Sequence, residues 1–260
     1  MGYELQDYKK ISMPLQQLYC MGLYLGDKKS EILIISNLLY AIQREGMELI
    51  IVKKGSDSIF ESKGIQEDLS KFSSVIMLQN VMEDCIQLWD IIADETKKRN
   101  QYRDEFARKE GISQNDIGLM KACASYIRRK TKGLFIIFED FEEFSDVLDE
   151  KYNQGFCNIF MKGKGYNYYF IGCHYPKNSM YDSLNNMQKI FLQDEFVILQ
   201  GGQFNRQSLV NLPREYSDIK KVTPNHNSCI MQYQGEVYPI WMPMKQKSLE
   251  SQNSDDAPII

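Results

Sequence analysis

The stretch that most constrains this chain is Leu134–Asp140, where five apolar residues, Leu-Phe-Ile-Ile-Phe, run without a break into two acids. An apolar run of this length is typical of a strand buried on both faces, as in a parallel sheet flanked by helices. Open α/β sheets bind their ligands at the carboxyl ends of such strands. Glu139 and Asp140 therefore lie where a sheet of this kind could use acids for chemistry.

The rest of the chain alternates between strand and helix patterns, which predicts one doubly wound α/β domain. Besides the central strand, strands are predicted at 18–25, 48–53, 75–78, 168–173 and 196–199, and a terminal hairpin at 229–242. Helices are predicted to begin at Ser30, Val81, Ser113, Phe141 and Ser179. The predicted organisation is a linker over residues 1–13, the domain over 14–244, and a polar tail over 245–260 that we expect to be disordered.

Three segments predict local structure. Ser113, with Asp116 three residues later, predicts a helix N-terminus that turns Ile117 inward. Residues 55–64 are rich in Ser, Asp and Lys and are predicted to form a loop. One helix is predicted from Phe141 to about Met161.

Composition limits the function classes. The net charge is −4, from 31 basic and 35 acidic residues, whereas a dedicated duplex-DNA binder usually has a basic excess. No apolar run approaches the roughly 20 residues of a membrane span, and the polar start Met-Gly-Tyr-Glu-Leu-Gln does not resemble a signal peptide. The six cysteines contain no Cys-x-x-Cys pair, so we expect reduced core thiols in a cytosolic protein and no zinc site.

The loop after the first predicted strand is the place for a phosphate-binding loop, Gly-x-x-x-x-Gly-Lys-Ser/Thr. Gly26, Lys28, Lys29 and Ser30 occupy that place, and Lys29-Ser30 matches the Lys-Ser pair. The loop lacks the second glycine and is short, and Asp27 would put a negative charge among the phosphates. A β–α turn with a serine cap is the other interpretation, and the pattern favours it.

Two further groups of residues are candidates. His174 follows the predicted strand 168–173, where it could hydrogen-bond a ligand, although a lone histidine at a strand end is more often structural. Tyr168, Tyr169 and Tyr175 belong to a tyrosine cluster beside it. Tyrosine is enriched at recognition surfaces, so the cluster is a candidate for binding a docked peptide, with ordinary packing as the alternative.

Together these segments identify a resemblance. The chain resembles the FtsK/SpoIIIE-type ATPases, and among them the last ATPase-like domain of the type VII secretion motors of Gram-positive bacteria, the EssC/YukB family. The segments that carry the resemblance are 22–26, 37–41, 134–144, 201–207, 212–213 and 235–238. No single one of these segments is specific, but together, in this order and spacing, they extend the resemblance from about residue 19 to residue 243.

The resemblance implies a three-layer RecA-like P-loop fold with a mainly parallel sheet. It places Glu139 at the Mg²⁺-binding position and Asp140 at the catalytic one, with the family's Asp-then-Glu order inverted. It also places His174 at a γ-phosphate sensor and Arg206 near a neighbouring subunit. It further implies a cytoplasmic domain of a membrane-anchored protein with tandem ATPase domains, and a hexameric assembly of that protein.

Three functions remain open from the sequence. The first is a degenerate ATPase domain that needs no cofactor, binds ATP and Mg²⁺ weakly at most, and recognises secreted type VII substrates or neighbouring ATPase domains. The second is an active or subunit-assisted ATPase of the secretion motor. The third is a DNA translocase, which the acidic charge disfavours, so no nucleic acid is expected as a partner.

Overall fold

In the computed structural model, the residues described below are 2–4, 10–11, 19–25, 28–55, 57–174, 186–191, 197–201 and 228–241. The strands are β1 Gly2–Glu4, β2 Lys10–Ile11, β3 Cys20–Leu25, β4 Glu48–Lys53, β5 Val75–Gln79, β6 Leu134–Phe138, β7 Tyr168–His174, β8 Val197–Gly201, β9 Ser228–Tyr233 and β10 Glu236–Trp241. The helices are α1 Lys28–Arg44, α2 Lys63–Leu69, α3 Met82–Glu110, α4 Leu119–Lys130, α5 Phe141–Val147, α6 Glu150–Lys162 and α7 Asn186–Ile190.

All the described strands form one sheet in the order β2-β1-β10-β9-β8-β3-β7-β6-β4-β5. The six strands from β8 to β5 pair in parallel, while β9, β10, β1 and β2 add an antiparallel extension. In this order β7 lies between β3 and β6. The mainly parallel α/β sheet predicted from the sequence is therefore confirmed.

Helices cover both faces of the parallel strands. The connections β3 to β4 and β4 to β5 run in one direction across the sheet, and those from β5 to β6, β6 to β7 and β7 to β8 run in the other. Because such crossovers are almost always right-handed, α1 and α2 lie on one face and α3 to α7 on the other. The contacts α1–α2, α3–α4 and α6–α7 agree with this three-layer arrangement.

The central strand β6 is buried along its whole length, as its unbroken apolar run predicts. Phe138 at its end packs against Phe141, Phe144 and Phe160, with ring centroids 5.3, 4.4 and 5.9 Å away. Each fully buried phenylalanine contributes roughly 1.5–3 kcal/mol through apolar burial. This aromatic cluster fixes α5 and α6 against the sheet immediately beside the two acids.

The first part of the chain differs from the sequence prediction in two places. Residues 1–13, predicted as a linker, supply β1 and β2, and β1 pairs with β10. The predicted loop 55–64 contains a 3-10 turn at Ile59–Glu61 and the start of α2. Ile65 and Leu69 bury α2 against the core, a pattern of two apolar residues too short to identify a helix.

Two later helix boundaries also differ. Helix α4 begins at Leu119 rather than Ser113, because the Asp116 carboxylate accepts a hydrogen bond from the Gly118 N–H at 2.6 Å and closes a turn. Ile117 therefore lies outside the helix and is fully exposed, at 102%. The single helix predicted from Phe141 is two helices, because the Asp149 carboxylate caps α6 by accepting from the Tyr152 N–H at 3.0 Å.

Candidate functional site

The predicted phosphate-loop position lies at the carboxyl end of β3, which ends at Leu25, while α1 begins at Lys28. Lys28 and Lys29 are exposed and Ser30 is fully buried. The sequence predicted Ser30 as the N-cap of this helix. In the structure Ser30 instead lies in the first turn of α1. Gly26 lies outside the described residues. In the sequence, only Gly26 and Asp27 separate the last residue of β3 from the first described residue of α1.

Glu139 follows β6 and is fully buried. Its Oε2 atom accepts hydrogen bonds from the Lys54 N–H at 3.1 Å and the Ser58 hydroxyl at 2.6 Å. Its Oε1 atom accepts from the Ile59 N–H at 2.6 Å. Three donors from the segment after β4 therefore bind this carboxylate, which ties that segment to the end of the central strand.

Asp140 is half-buried and caps α5, with its Oδ1 atom accepting from the Glu143 N–H at 3.0 Å. Asn80, at the end of β5, donates from Nδ2 to the Glu143 carboxylate at 3.0 Å and to the Asp140 carbonyl at 3.2 Å. The Gly55 N–H also points at Glu143, at 3.4 Å. These acids form a capping network that links the ends of β4, β5 and β6.

His174 is the last residue of β7 and is 6% exposed. Its ring stacks on Tyr24 with centroids 4.7 Å apart, and Phe141 and Phe191 contact it edge-on. Burial among these rings lowers the pKa of His174 to about 3, because the charged imidazolium would lose its hydration. His174 is therefore neutral at physiological pH, and its Nε2 atom has no hydrogen-bond partner among the residues that the structure describes.

The tyrosines proposed as a peptide-binding surface are core residues where the structure describes them. Tyr168 is 1% exposed and its hydroxyl lies 2.9 Å from the Thr96 hydroxyl. Tyr169 is 3% exposed, stacks on Phe135 and donates to Asn167 at 2.9 Å. Both begin β7, at the end of the strand opposite His174, so they offer no surface to a docked peptide.

Two other predicted site residues, Tyr175 and Arg206, lie outside the described residues. The side chains that bind Glu139 and Glu143, those of Ser58 and Asn80, were not predicted from the sequence. Ser58 and Asn80 belong to segments with no motif, although both follow predicted parallel strands. Polar residues after neighbouring strands meet at one edge of the sheet, and that signal could have found them.

Lys29, Ser30, Glu139, Asp140 and His174 all lie at the carboxyl edge of the sheet, at the ends of β3, β6 and β7. Within the described ranges, no group of three or more His, Cys, Asp or Glu side chains could hold a metal ion. The thiol of Cys173, next to His174 in β7, is fully buried, and burial raises its pKa well above the usual value. The side chains at this edge cap helices and anchor a loop.

Comparisons with known proteins place this geometry in a fold family. No protein-family model and no curated protein matches the chain. A solved structure of the cytoplasmic domain of EssC superposes with a TM-score of 0.65 at 12% identity, over 94% of this chain and 43% of that one. The cytoplasmic domain of the type VII secretion ATPase EccC of Thermomonospora curvata superposes with a TM-score of 0.57 at 13% identity, over 94% and 28%.

A third structure contains ATPases 2 and 3 of Thermomonospora curvata EccC in complex with a signal sequence peptide. It superposes with a TM-score of 0.58 at 11% identity, over 95% of this chain and 40% of that one. The chain thus spans less than half the length of each of these three solved chains. At these identities the likeness establishes the fold, and the resemblance expected from the sequence is confirmed at that level: this chain has the α/β fold of the cytoplasmic ATPase domains of the type VII secretion proteins EssC and EccC.

Proposed function

We propose that this chain is an ATPase-like domain of a type VII secretion motor that has lost nucleotide hydrolysis and acts through protein contacts. The observation that carries the proposal is the state of Glu139. Its carboxylate would have to leave three hydrogen bonds, at 2.6 to 3.1 Å, before it could hold Mg²⁺. Hydrogen bonds to a charged group contribute about 1.5–3 kcal/mol each, so this rearrangement is costly.

The connection between β3 and α1 supports the same conclusion. A phosphate loop wraps the phosphates with successive backbone N–H groups, and its Gly-x-x-x-x-Gly-Lys-Ser/Thr pattern needs more chain than two residues. The acids beyond β6 would also repel a nucleotide that lacks such a cradle. The residues at this edge therefore do not fit Mg·ATP, and we propose no role for them in its hydrolysis.

The proposed role follows from the fold and from what its relatives bind. One solved relative holds a signal sequence peptide, and it contains two ATPase domains in one chain. By analogy, we propose that this domain contacts secreted substrates or neighbouring ATPase domains at the cytoplasmic side of a membrane-anchored motor. Within the part of the chain that the structure describes, no helix is long and apolar enough to cross a membrane.

An active ATPase is the second candidate, because Lys29 and Ser30 still occupy the first turn of the helix after β3. Steady-state ATP hydrolysis by the purified chain separates the two functions. The proposal predicts no turnover above that of an Asp140→Asn variant, either for the chain alone or for an assembled oligomer. Turnover that Asp140→Asn abolishes would overturn the proposal and establish the second candidate.

A further inference from the structure

Strand β5 is one edge of the sheet, and its outer side is unpaired among the described strands. It pairs in parallel with β4 from Val75 to Gln79, and no described strand lies beyond it. The opposite edge of the sheet is β2, which is only two residues long. Folded proteins keep edge strands short or protect them with charges, prolines or bulges, because unpaired backbone groups attract other chains. A five-residue edge strand is therefore expected to carry such protection or to have a partner.

The sequence around β5 carries no such protecting residue. Residues 73–82, Ser-Ser-Val-Ile-Met-Leu-Gln-Asn-Val-Met, contain no charged residue and no proline. Ile76 is 37% exposed and Met77 is 36% exposed, and Val81, just beyond the strand, is also exposed. Because Ile76 and Met77 are neighbours in the strand, their side chains lie on opposite faces of the sheet. The edge is thus apolar on both faces, and an added strand would cover both.

Two hydrogen bonds show which backbone groups β5 directs away from the sheet. The Asn80 N–H donates to the Lys53 carbonyl of β4 at 3.0 Å. The Gln79 N–H donates instead to the Asp84 carboxylate at 2.7 Å. Since successive residues of a strand direct their backbone groups to opposite sides, Met77 faces outward like Gln79. Met77 therefore offers both its N–H and its C=O to a partner at the middle of the edge.

These features describe the ligand that the edge would bind. A row of outward backbone groups selects another extended strand, which binds through main-chain hydrogen bonds while its alternate side chains contact the two faces. Helix α3 begins directly beyond the edge with Glu83 and Asp84 in its first turn, and neither acid forms an ion pair with a described cation. The helix dipole alone accounts for acids at this position, so the backbone groups carry the argument and the charge adds a preference for Lys or Arg.

We propose that β5 binds an extended peptide segment of a partner protein, which adds to the sheet as a further strand. The segment pairs with the outward groups of Met77, contacts Ile76 and Met77 with apolar side chains, and places a Lys or Arg beside Glu83. The net charge of −4 of the whole chain favours a basic segment in the same sense. The site uses none of the residues of the candidate site, so it does not depend on the proposed loss of nucleotide hydrolysis.

Fluorescence anisotropy of a labelled synthetic peptide tests the site on the full chain, without nucleotide. The probe is Lys-Thr-Val-Thr-Ile-Thr-Val-Lys, which consists of strand-forming residues and carries a lysine at each end so that either strand direction can bind. We expect saturable binding. A probe that is N-methylated at its four central residues keeps its side chains and loses its backbone donors. It should bind at least about tenfold more weakly, which is about 1.4 kcal/mol.

Two changes of Met77 test the backbone and the side chain separately. Met77→Pro removes the outward N–H and takes no hydrogen bond from β4, a position at which an edge strand tolerates proline. It should weaken probe binding at least about tenfold, as N-methylation does. Met77→Glu puts a charge on the edge and should weaken binding at least about threefold, although a carboxylate attracts the lysines of the probe.

Met161→Glu makes the same change at another exposed methionine, on α6, and is the matched control that should bind like the wild type. Circular dichroism checks folding, and Met77→Glu keeps the test decisive if the proline variant unfolds. Glu83→Gln should weaken binding about twofold at low ionic strength and not at about 1 M salt, where charges are screened. Glu110→Gln, at the other end of the same helix, should have no effect.

Three results would overturn the proposal. The first is a wild-type chain that shows no saturable binding of the probe. The second is binding that N-methylation of the probe and both Met77 changes leave unchanged. The third is self-association of the chain, measured by sedimentation velocity, that Met77→Glu abolishes, because the edge would then bind a second copy and not a peptide of another protein.

Discussion

The carboxylate of Glu139 is the group whose replacement separates a loop anchor from a metal ligand. Glu139→Gln keeps the side-chain shape but leaves only one acceptor oxygen. If that oxygen faces the Lys54 N–H and the Ser58 hydroxyl, the amide NH₂ faces the Ile59 N–H. The Ile59 N–H then loses its acceptor, the Oε1 atom to which it donates at 2.6 Å in the wild type. One charge-assisted bond is lost, at about 1.5–3 kcal/mol, and the other two become neutral and weaker.

Part of this loss is offset, since a buried carboxylate is itself costly to desolvate and the amide is not. We therefore expect Glu139→Gln to lower the free energy of unfolding by about 2 kcal/mol. Urea denaturation at neutral pH, without nucleotide or Mg²⁺, measures the change. Glu150→Gln, a carboxylate-to-amide change at an exposed position, is the matched control and should be nearly neutral.

A double-mutant cycle with Ser58→Ala attributes the loss to the anchor. Ser58 shares one bond with Glu139, so the two losses should couple by about 0.5 kcal/mol or more. If Glu139 were instead a carboxylate kept for Mg²⁺ among other acids, its neutralisation would raise the free energy of unfolding, because it would relieve the repulsion between neighbouring carboxylates. Neutral or increased stability in Glu139→Gln, with no coupling to Ser58→Ala, would refute the anchor role.

Three further predictions concern stability. Arg99→Ala should cost about 3–5 kcal/mol in urea denaturation, because it removes charge-assisted hydrogen bonds to three carbonyls, of which only that of Asn167 keeps a described backbone donor, the Leu134 N–H. Arg99→Lys should recover only part of this loss. The pKa of His174 is lowered to about 3 in the folded state, so its imidazole stays neutral there while the unfolded chain takes up a proton near pH 6.5. The free energy of unfolding should therefore fall by about 2 kcal/mol between about pH 7.5 and pH 5. His174→Gln should remove that part of the pH dependence. Gly155→Ala should destabilise the protein by about 1–3 kcal/mol, although alanine is the better helix former, because its Cβ would lie 2.4 Å from Trp89.

Each of these predictions has a result that contradicts it. Full recovery by Arg99→Lys would mean that the charge alone matters and the three-carbonyl contact does not. Equal pH slopes in the wild type and His174→Gln would place the titrating group elsewhere. A stabilised Gly155→Ala would show that Trp89 moves aside without loss, so that helix propensity decides the sign.

The sequence predicted those parts of the fold that depend on local pattern. The apolar run of β6 identified the buried central strand. Gly46 and Gly111 end α1 and α3 with positive φ angles of 65° and 66°, as glycines after helical patterns predict. The Gln234-Gly235 turn joins β9 and β10 as expected, also with positive φ at both residues.

What the sequence did not reveal depends on contacts between distant residues. Ser58 binds Glu139 across 81 positions, and no local pattern links them. Tyr168 looks like a surface tyrosine in the sequence, yet Arg99, 69 positions earlier in the chain, covers its ring at 4.5 Å. The prediction that Ile117 faces inward was wrong for a local reason, because the Asp116 side chain closes a turn where the helix was predicted to begin. Site positions were therefore predictable at the level of the sheet edge, and side-chain roles were not.

The most direct test of the account is a calorimetric titration of the purified chain with Mg·ATP. We expect no saturable binding at micromolar concentrations, since Glu139 is bound to the segment after β4 and the sequence has only two residues between the end of β3 and Lys28 of α1. Micromolar binding that Lys29→Ala abolishes would contradict it, because that result would show a working phosphate site at the start of α1.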